Sequence, residues 1–312
     1  MNSPRRLVAI LGPTASGKSE LAIALAQQLD GEILCCDSTQ VYRHFDIGTG
    51  KVPRAEQKGI PHHLMDLVEP QEVFTAGDYR RIALELLEDV SNRRKLPILT
   101  VGTGLYLRAL LEGLDDLPAR SEKLRERLRA RAEKRGSEYL HRILSRFDPA
   151  SAARIARRDA HKIIRAIEVS LLTGKPASEL LGRDRSPLQG FAIMKLGLRP
   201  ARTKLYSRID SRVNEMIASG WLEEVRNLIK IGVPASAKPF TFLGYPQLRE
   251  HILRGSSLES IVPEIQQATR RYAKRQITWF RRESGVHWLD GLGVEQGVRA
   301  EALKIISATS AG

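Results

Sequence analysis

Gly12, Pro13, Thr14, Ala15, Ser16, Gly17, Lys18 and Ser19 complete the pattern G-x-x-x-x-G-K-[ST] directly after the apolar run Leu7 to Leu11. Glycines at these places let the backbone curl until successive N–H groups face phosphate oxygens, and a following helix adds its positive N-terminal end. Lys18 supplies a point charge, and the Ser19 hydroxyl can hold Mg2+. The helix is legible too, because Leu21, Ala22, Leu25, Ala26 and Leu29 recur at helical spacing. Strand, loop and helix in this order define a site for a polyphosphate or a pyrophosphate, and the motif does not select between them.

Asp37 ends the hydrophobic run Ile33 to Cys36, a place where phosphate-loop proteins carry a Mg2+ ligand or a catalytic base. The same residue type also caps helices and makes turns. What favours chemistry is its position at a strand's carboxyl end beside the phosphate loop. Gly102-Thr103-Gly104 is similarly placed, with glycines that permit close backbone approach and a hydroxyl that can hydrogen-bond. Farther on, Gln267 to Arg282 sorts on a helical wheel. Arg270, Arg271, Lys274, Arg275, Arg281 and Arg282 share one arc, and Tyr272, Ala273, Ile277, Trp279 and Phe280 occupy the other. A solvated face normally mixes signs, but this one has no acid before Glu283, which favours polyphosphate or nucleic acid as its partner. His62-His63 has no further ligands at metal-binding spacing. Most Tyr and Trp residues fall at helical core spacing and suggest no stacking platform.

Three βα units are expected to position these residues. Leu7–Leu11 leads into the helix after Lys18, Ile33–Cys36 ends at Asp37, and Pro97–Val101 follows an amphipathic stretch from Asp78 to Arg94. The alternation predicts a doubly covered parallel α/β sheet of the phosphate-loop type, whose strands end at one shared edge. From Asp116 to Gly190 the texture changes to dense Arg, Lys and Glu without a convincing strand, which predicts a helical insertion domain. Phe191–Leu198 resumes a strand, and Lys204–Ala218 reads as a helix stopped by Ser219-Gly220. The expected core is therefore residues 1–115 and 191–312, with 116–190 inserted, and the tail after Ala308 is expected to be disordered. Lys+Arg 50 against Asp+Glu 36 gives a net charge of +14, which points to a polyanionic partner, nucleic acid first. The two cysteines, Cys35 and Cys36, are adjacent within an apolar run, so they read as buried small hydrophobes. No stretch approaches the ~20 apolar residues that span a bilayer, so a cytoplasmic protein with no membrane partner is expected.

These segments, in this order, closely resemble bacterial tRNA dimethylallyltransferases over almost the whole chain. The resemblance rests on Gly12–Ser19, Asp37-Ser-Thr-Gln-Val-Tyr42, Asp46-Ile-Gly-Thr49, Pro61-His-His-Leu64, Gly102-Thr-Gly-Leu-Tyr106 and Arg270–Phe280, with Arg165-Ala-Ile-Glu-Val169 and Arg208-Ile-Asp-Ser-Arg212 agreeing. It implies transfer of a dimethylallyl group from dimethylallyl diphosphate to N6 of the adenosine just 3′ of the tRNA anticodon. The phosphate loop then holds diphosphate, not ATP. The resemblance makes Asp37 the general base and Thr103 a substrate contact. Lys18 and Arg165 would neutralise the departing pyrophosphate, with Mg2+ near Ser19. The tRNA anticodon stem-loop would meet Asp37, Ser38, Thr39, Gln40, Thr103, Arg125, His161, Lys162, Ile163, Ile164 and Arg165. Arg271 and Arg275 join them from the basic arc, and a monomer is expected.

The chain departs from the family pattern at Ala156-Arg157-Arg158-Asp159 with His161-Lys162, at Val101-Gly102, and at Leu243-Gly244-Tyr245-Pro246-Gln247, where Pro246 bears on a helix start. Three other readings compete. A nucleotide or small-molecule kinase shares the loop and sheet, an adenylate dimethylallyltransferase has no use for the basic helix, and a non-enzymatic RNA-binding module leaves the loop idle.

Overall fold

Strand pairing brings the predicted chemical segments to one edge of a sheet. The structure is a computed structural model that describes residues 4–182, 185–255 and 257–308. The tail after Ala308, expected to be disordered, lies outside the described residues. The chain runs β1 (Arg5–Leu11), α1 (Lys18–Leu29), β2 (Gly31–Cys36), β3 (His62–His63), α2 (Ala76–Asn92), β4 (Leu96–Val101) and α3 (Gly104–Glu112). Next come α4 (Glu122–Arg135), α5 (Ser137–Phe147), α6 (Pro149–Arg154), α7 (Ala160–Thr173) and α8 (Ala177–Leu180). It returns through β5 (Phe191–Leu198), α9 (Arg202–Ala218), α10 (Trp221–Lys230), α11 (Tyr245–Arg254), α12 (Leu258–Phe280), β6 (Val286–Leu289) and α13 (Gln296–Ala308).

The six strands pair in parallel in the order β3-β2-β4-β1-β5-β6. Period-two alternation splits each central strand between two cores. Leu7, Ala9, Leu11, Leu34, Leu99 and Val101 face Tyr79, Leu87, Leu107, Val225 and Leu248 of the helices on one side. Val8, Ile10, Ile33, Cys35 and Ile98 face Leu21 and Leu25 of α1 and Ala302 and Ile306 of α13 on the other. Both faces are buried, as a parallel sheet requires, and Cys35 and Cys36 lie in the interior as small hydrophobes.

Register then aligns the chemistry. Leu11 and Cys36 both pair with Val101. The next residue of each strand, Gly12, Asp37 and Gly102, therefore emerges abreast at the carboxyl edge. His62 and His63 form the edge strand β3, and His63 Nε2 donates to the Glu32 carboxylate at 2.7 Å. Two residues are too few to show a strand period.

The chain divides into one compact unit of Met1–Leu111 with Leu188–Gly312 and another of Glu112–Pro187. The second unit is helical and has its own core, in which Leu128, Leu140, Leu144, Ile163, Ile164 and Ile167 are buried. Asp159 caps its helix α7 by accepting from the Lys162 amide at 3.1 Å. Pro246 falls in the first turn of α11, where a missing N–H costs no helical hydrogen bond.

Candidate active site

The phosphate loop turns on two left-handed residues, Ala15 at φ 61° and Gly17 at φ 90°. At Gly17 a side chain would also collide with the backbone of Gly293, 2.8 Å from the ideal Cβ, and Gly293 donates to the Ser16 carbonyl at 2.9 Å. The Lys18 ammonium donates to the carbonyls of Gly12 and Pro13, both at 2.9 Å, and so braces the curl. Burial pushes it down to about 8, with Asp37 pulling upward and Arg212 adding to the fall. Ser19 opens onto a cavity beside the loop, and its hydroxyl has no partner among the described residues.

Asp37 is held from two sides. Its Oδ1 accepts from the Thr39 amide at 2.9 Å and the Thr39 hydroxyl at 2.7 Å. Its Oδ2 lies over Gly102, where a Cβ would sit 2.0 Å away, so only glycine leaves this carboxylate its place. Thr103 donates its amide to the Cys36 carbonyl at 3.0 Å, and its Oγ1 accepts from the Ser38 amide at 2.9 Å. The loops after β2 and β4 are thereby locked together. Gln40 donates to the Thr49 and Gly50 carbonyls, each at 3.2 Å, and so ties that segment to the loop after β2.

A cavity of 390 Å3 opens above these residues. Its polar lining includes Thr14, Lys18, Ser19, Asp37, Ser38, Thr39, Gln40 and Arg212, and its apolar and aromatic lining includes Val213, Met216, Trp221, Phe242, Leu243 and Tyr272. Burial, and then the charge of Asp37, push the Tyr272 phenol well above its ordinary value, so it stays neutral. A second cavity, of 840 Å3, shares Gly50, Arg212 and Met216 with the first.

Arg212, Trp221, Tyr272 and Gln276 were not singled out in the sequence as site residues. Arg212 is half-buried and has no carboxylate partner among the described residues. Desolvation lowers its affinity for a proton, Glu20 raises it and Arg208 lowers it again. The wall behind Trp221 is organised by Glu224, whose carboxylate accepts from the amides of Asp46 at 2.9 Å and Ile47 at 2.7 Å and from the Tyr245 hydroxyl at 2.7 Å.

The basic arc is divided by its surroundings. Arg271 and Arg275 are exposed, with no acid paired to either among the described residues, and Arg275 lines the cavity. Arg270 is ion-paired to Asp210 of α9, which removes it from the free basic face. In the inserted unit, His161 and Lys162 are exposed, whereas Arg125, Ile163 and Ile164 are buried. The Arg165 guanidinium donates to Glu168 at 2.7 Å and to the Pro118 carbonyl at 3.0 Å. Among the described residues no three His, Cys, Asp or Glu side chains gather as a metal cluster. No helix there is long and apolar enough to cross a membrane.

A phosphate loop, an unpaired arginine, apolar side chains and a fixed carboxylate at the strand edge, gathered around one cavity, define a phosphate-loop α/β protein built to take an anionic compound with an apolar part. Comparison with known proteins carries the assignment further. The family model described as IPP transferase matches residues 40–283. The tRNA dimethylallyltransferase of Solibacter usitatus is 52% identical over 297 residues, 95% of this chain and 96% of its own. That of Koribacter versatilis is 50% identical, over 97% of this chain and 98% of its own. Among solved structures, the full-length tRNA isopentenylpyrophosphate transferase of Bacillus halodurans superposes with a TM-score of 0.71 at 35% identity, covering 97% of this chain and 96% of that one. A eukaryotic dimethylallyltransferase acting on tRNA gives a TM-score of 0.80 at 27% identity, covering 98% and 79%. The chain belongs to the IPP transferase family, that of the tRNA dimethylallyltransferases.

Proposed function

We propose that this protein transfers the dimethylallyl group of dimethylallyl diphosphate to N6 of the adenosine just 3′ of a tRNA anticodon and releases diphosphate. The observation that carries the reading is the cavity itself, which joins phosphate-loop donors, an apolar wall and the free oxygen of Asp37 in one place. The diphosphate lies against the amides of the loop, Lys18 and Arg212, and the dimethylallyl group lies along the apolar wall. The carbon–oxygen bond to the diphosphate breaks as the bond from N6 to the allylic carbon forms, and the N6 proton passes to Asp37 Oδ2. An adenine amine is a weak nucleophile because its lone pair is delocalised into the ring, and a base acting on its proton relieves that weakness. Fixed donors around the leaving group stabilise the charge that develops on it.

Arg212 takes the leaving-group role that the family resemblance gave to Arg165, since Arg212 is unpaired in the cavity and Arg165 is engaged by Glu168 and Pro118. The residues fit Mg2+, which keeps most of its water and binds through few protein oxygens. The unpartnered Ser19 hydroxyl would hold it, and its charge would help neutralise the diphosphate. For the adenosine to reach Asp37 it must leave its stack, as bases do in enzymes that modify them. Thr103 and the segment Ser38–Gln40, beside Asp37, would meet it, and the exposed cations Arg271, Arg275, His161 and Lys162 would contact the anticodon stem-loop. The protein acts as a cytoplasmic monomer. Mass spectrometry of tRNA nucleosides from cells lacking the protein tests the reading. Loss of an isopentenyl-adenosine nucleoside is expected, and its persistence at the normal level refutes the assignment.

A further inference from the structure

We infer that Gln276 of α12 sets the length of phosphate chain that the loop accepts, admitting a diphosphate and rejecting a triphosphate. The inference rests on the diphosphate reading above and concerns how a loop of this pattern avoids nucleoside triphosphates. Gln276 is 6% exposed, and both ends of its amide are committed. Its Oε1 accepts from the Thr14 amide at 2.7 Å, and its Nε2 donates to the Gly102 carbonyl at 2.9 Å. The next residue of the loop, Ala15, is buried in a small cluster with Ala273 of the same helix and with Leu205 and Ile209 of α9. The Thr14 amide is thus engaged and the Ala15 side chain is packed against α9 and α12, at the rim of the cavity. Ser16 donates its amide back to Pro13 at 3.2 Å. The amides of Gly17, Lys18 and Ser19 have no acceptor among the described residues and remain for an anion.

In loops of this pattern the backbone amides along the curl cradle successive phosphates. Every added phosphoryl group brings further charged acceptor oxygens that need donors. A third phosphate must therefore displace Gln276 from Thr14 and leave a buried amide side chain unsatisfied, a penalty a diphosphate does not meet.

Calorimetric titration of the full chain with inorganic pyrophosphate and inorganic tripolyphosphate, in excess Mg2+, tests this on the wild type, Gln276→Ala and Gln276→Asn. Asparagine keeps a polar amide in the site and is too short to span both partners, so it serves if alanine disturbs folding. The wild type should prefer pyrophosphate, and both variants should shift the ratio of dissociation constants toward tripolyphosphate on the order of tenfold. A merely structural role would weaken both anions together, and an unmoved ratio in variants that bind pyrophosphate overturns the inference while leaving the diphosphate reading intact. A wild type that binds neither anion overturns both.

Discussion

Gly102→Ala examines the placement of Asp37 while leaving its carboxyl group chemically intact. The added Cβ would stand 2.0 Å from Oδ2 and 2.9 Å from Cγ, against the 3.4 Å at which such contacts become ordinary. The carboxyl group must retreat by more than an ångström, and its Oδ1 cannot follow without loosening the two hydrogen bonds from Thr39. Misplacing a reacting group by about 1 Å costs on the order of 10²-fold in rate, and losing a general base costs ~10²–10⁴-fold. Steady-state transfer to tRNA should therefore show kcat reduced about 10²-fold with KM for both substrates little changed, since neither the phosphate loop nor the basic face is altered. A double-mutant cycle sharpens the test. If alanine at 102 acts through Asp37, then adding it to Asp37→Ala should cost almost nothing further. A Gly102→Ala enzyme with near-normal kcat would refute the assignment of Oδ2 as the base, and full additivity in the cycle would refute the coupling.

The other expectations are more local. Because burial brings the Lys18 ammonium down to about 8, the free protein loses this charge as pH rises through that value, whereas bound diphosphate retains it. Affinity for dimethylallyl diphosphate should fall by up to about tenfold per pH unit above that point, and Lys18→Gln should abolish the dependence along with most of the affinity. Arg212→Gln removes an unpaired charge from the cavity and should weaken diphosphate binding by roughly 10- to 100-fold, the range of a charge-assisted hydrogen bond, as read by titration with pyrophosphate. The double substitution Arg271→Gln with Arg275→Gln should weaken tRNA binding and flatten the slope of log affinity against log salt by roughly 0.7 to 0.9 per phosphate contact. An unchanged slope would move tRNA contact elsewhere.

What the sequence made legible was set by local backbone need. Gly17 and Gly102 are demanded by a left-handed turn and by a carboxylate 2.0 Å from where a side chain would begin, and such demands appear as glycine in a motif. Asp37 and Thr103 could be placed because they follow strands whose hydrophobic runs are plain. Arg212, Trp221 and Gln276 follow no local rule. Each reaches the site only because α9, α10 and α12 are laid near the phosphate loop by tertiary packing, more than 190 residues along the chain from Thr14. Tyr272 falls on the apolar arc of its helix, and a residue lining a ligand cavity has the same periodicity as one lining a core. Arg270 shows the converse limit, since the wheel gave its direction but not the Asp210 that meets it from α9. The two-residue strand β3 is too short for a period of two to be seen.

The central claim is tested most directly by incubating the purified protein with Mg2+ and radiolabelled dimethylallyl diphosphate and offering tRNA, AMP or no acceptor, with ATP hydrolysis followed in parallel. Label should enter tRNA alone, on N6 of the adenosine 3′ of the anticodon, and should do so far more slowly with Asp37→Ala. Label in AMP, or turnover of ATP with none in tRNA, would contradict the account.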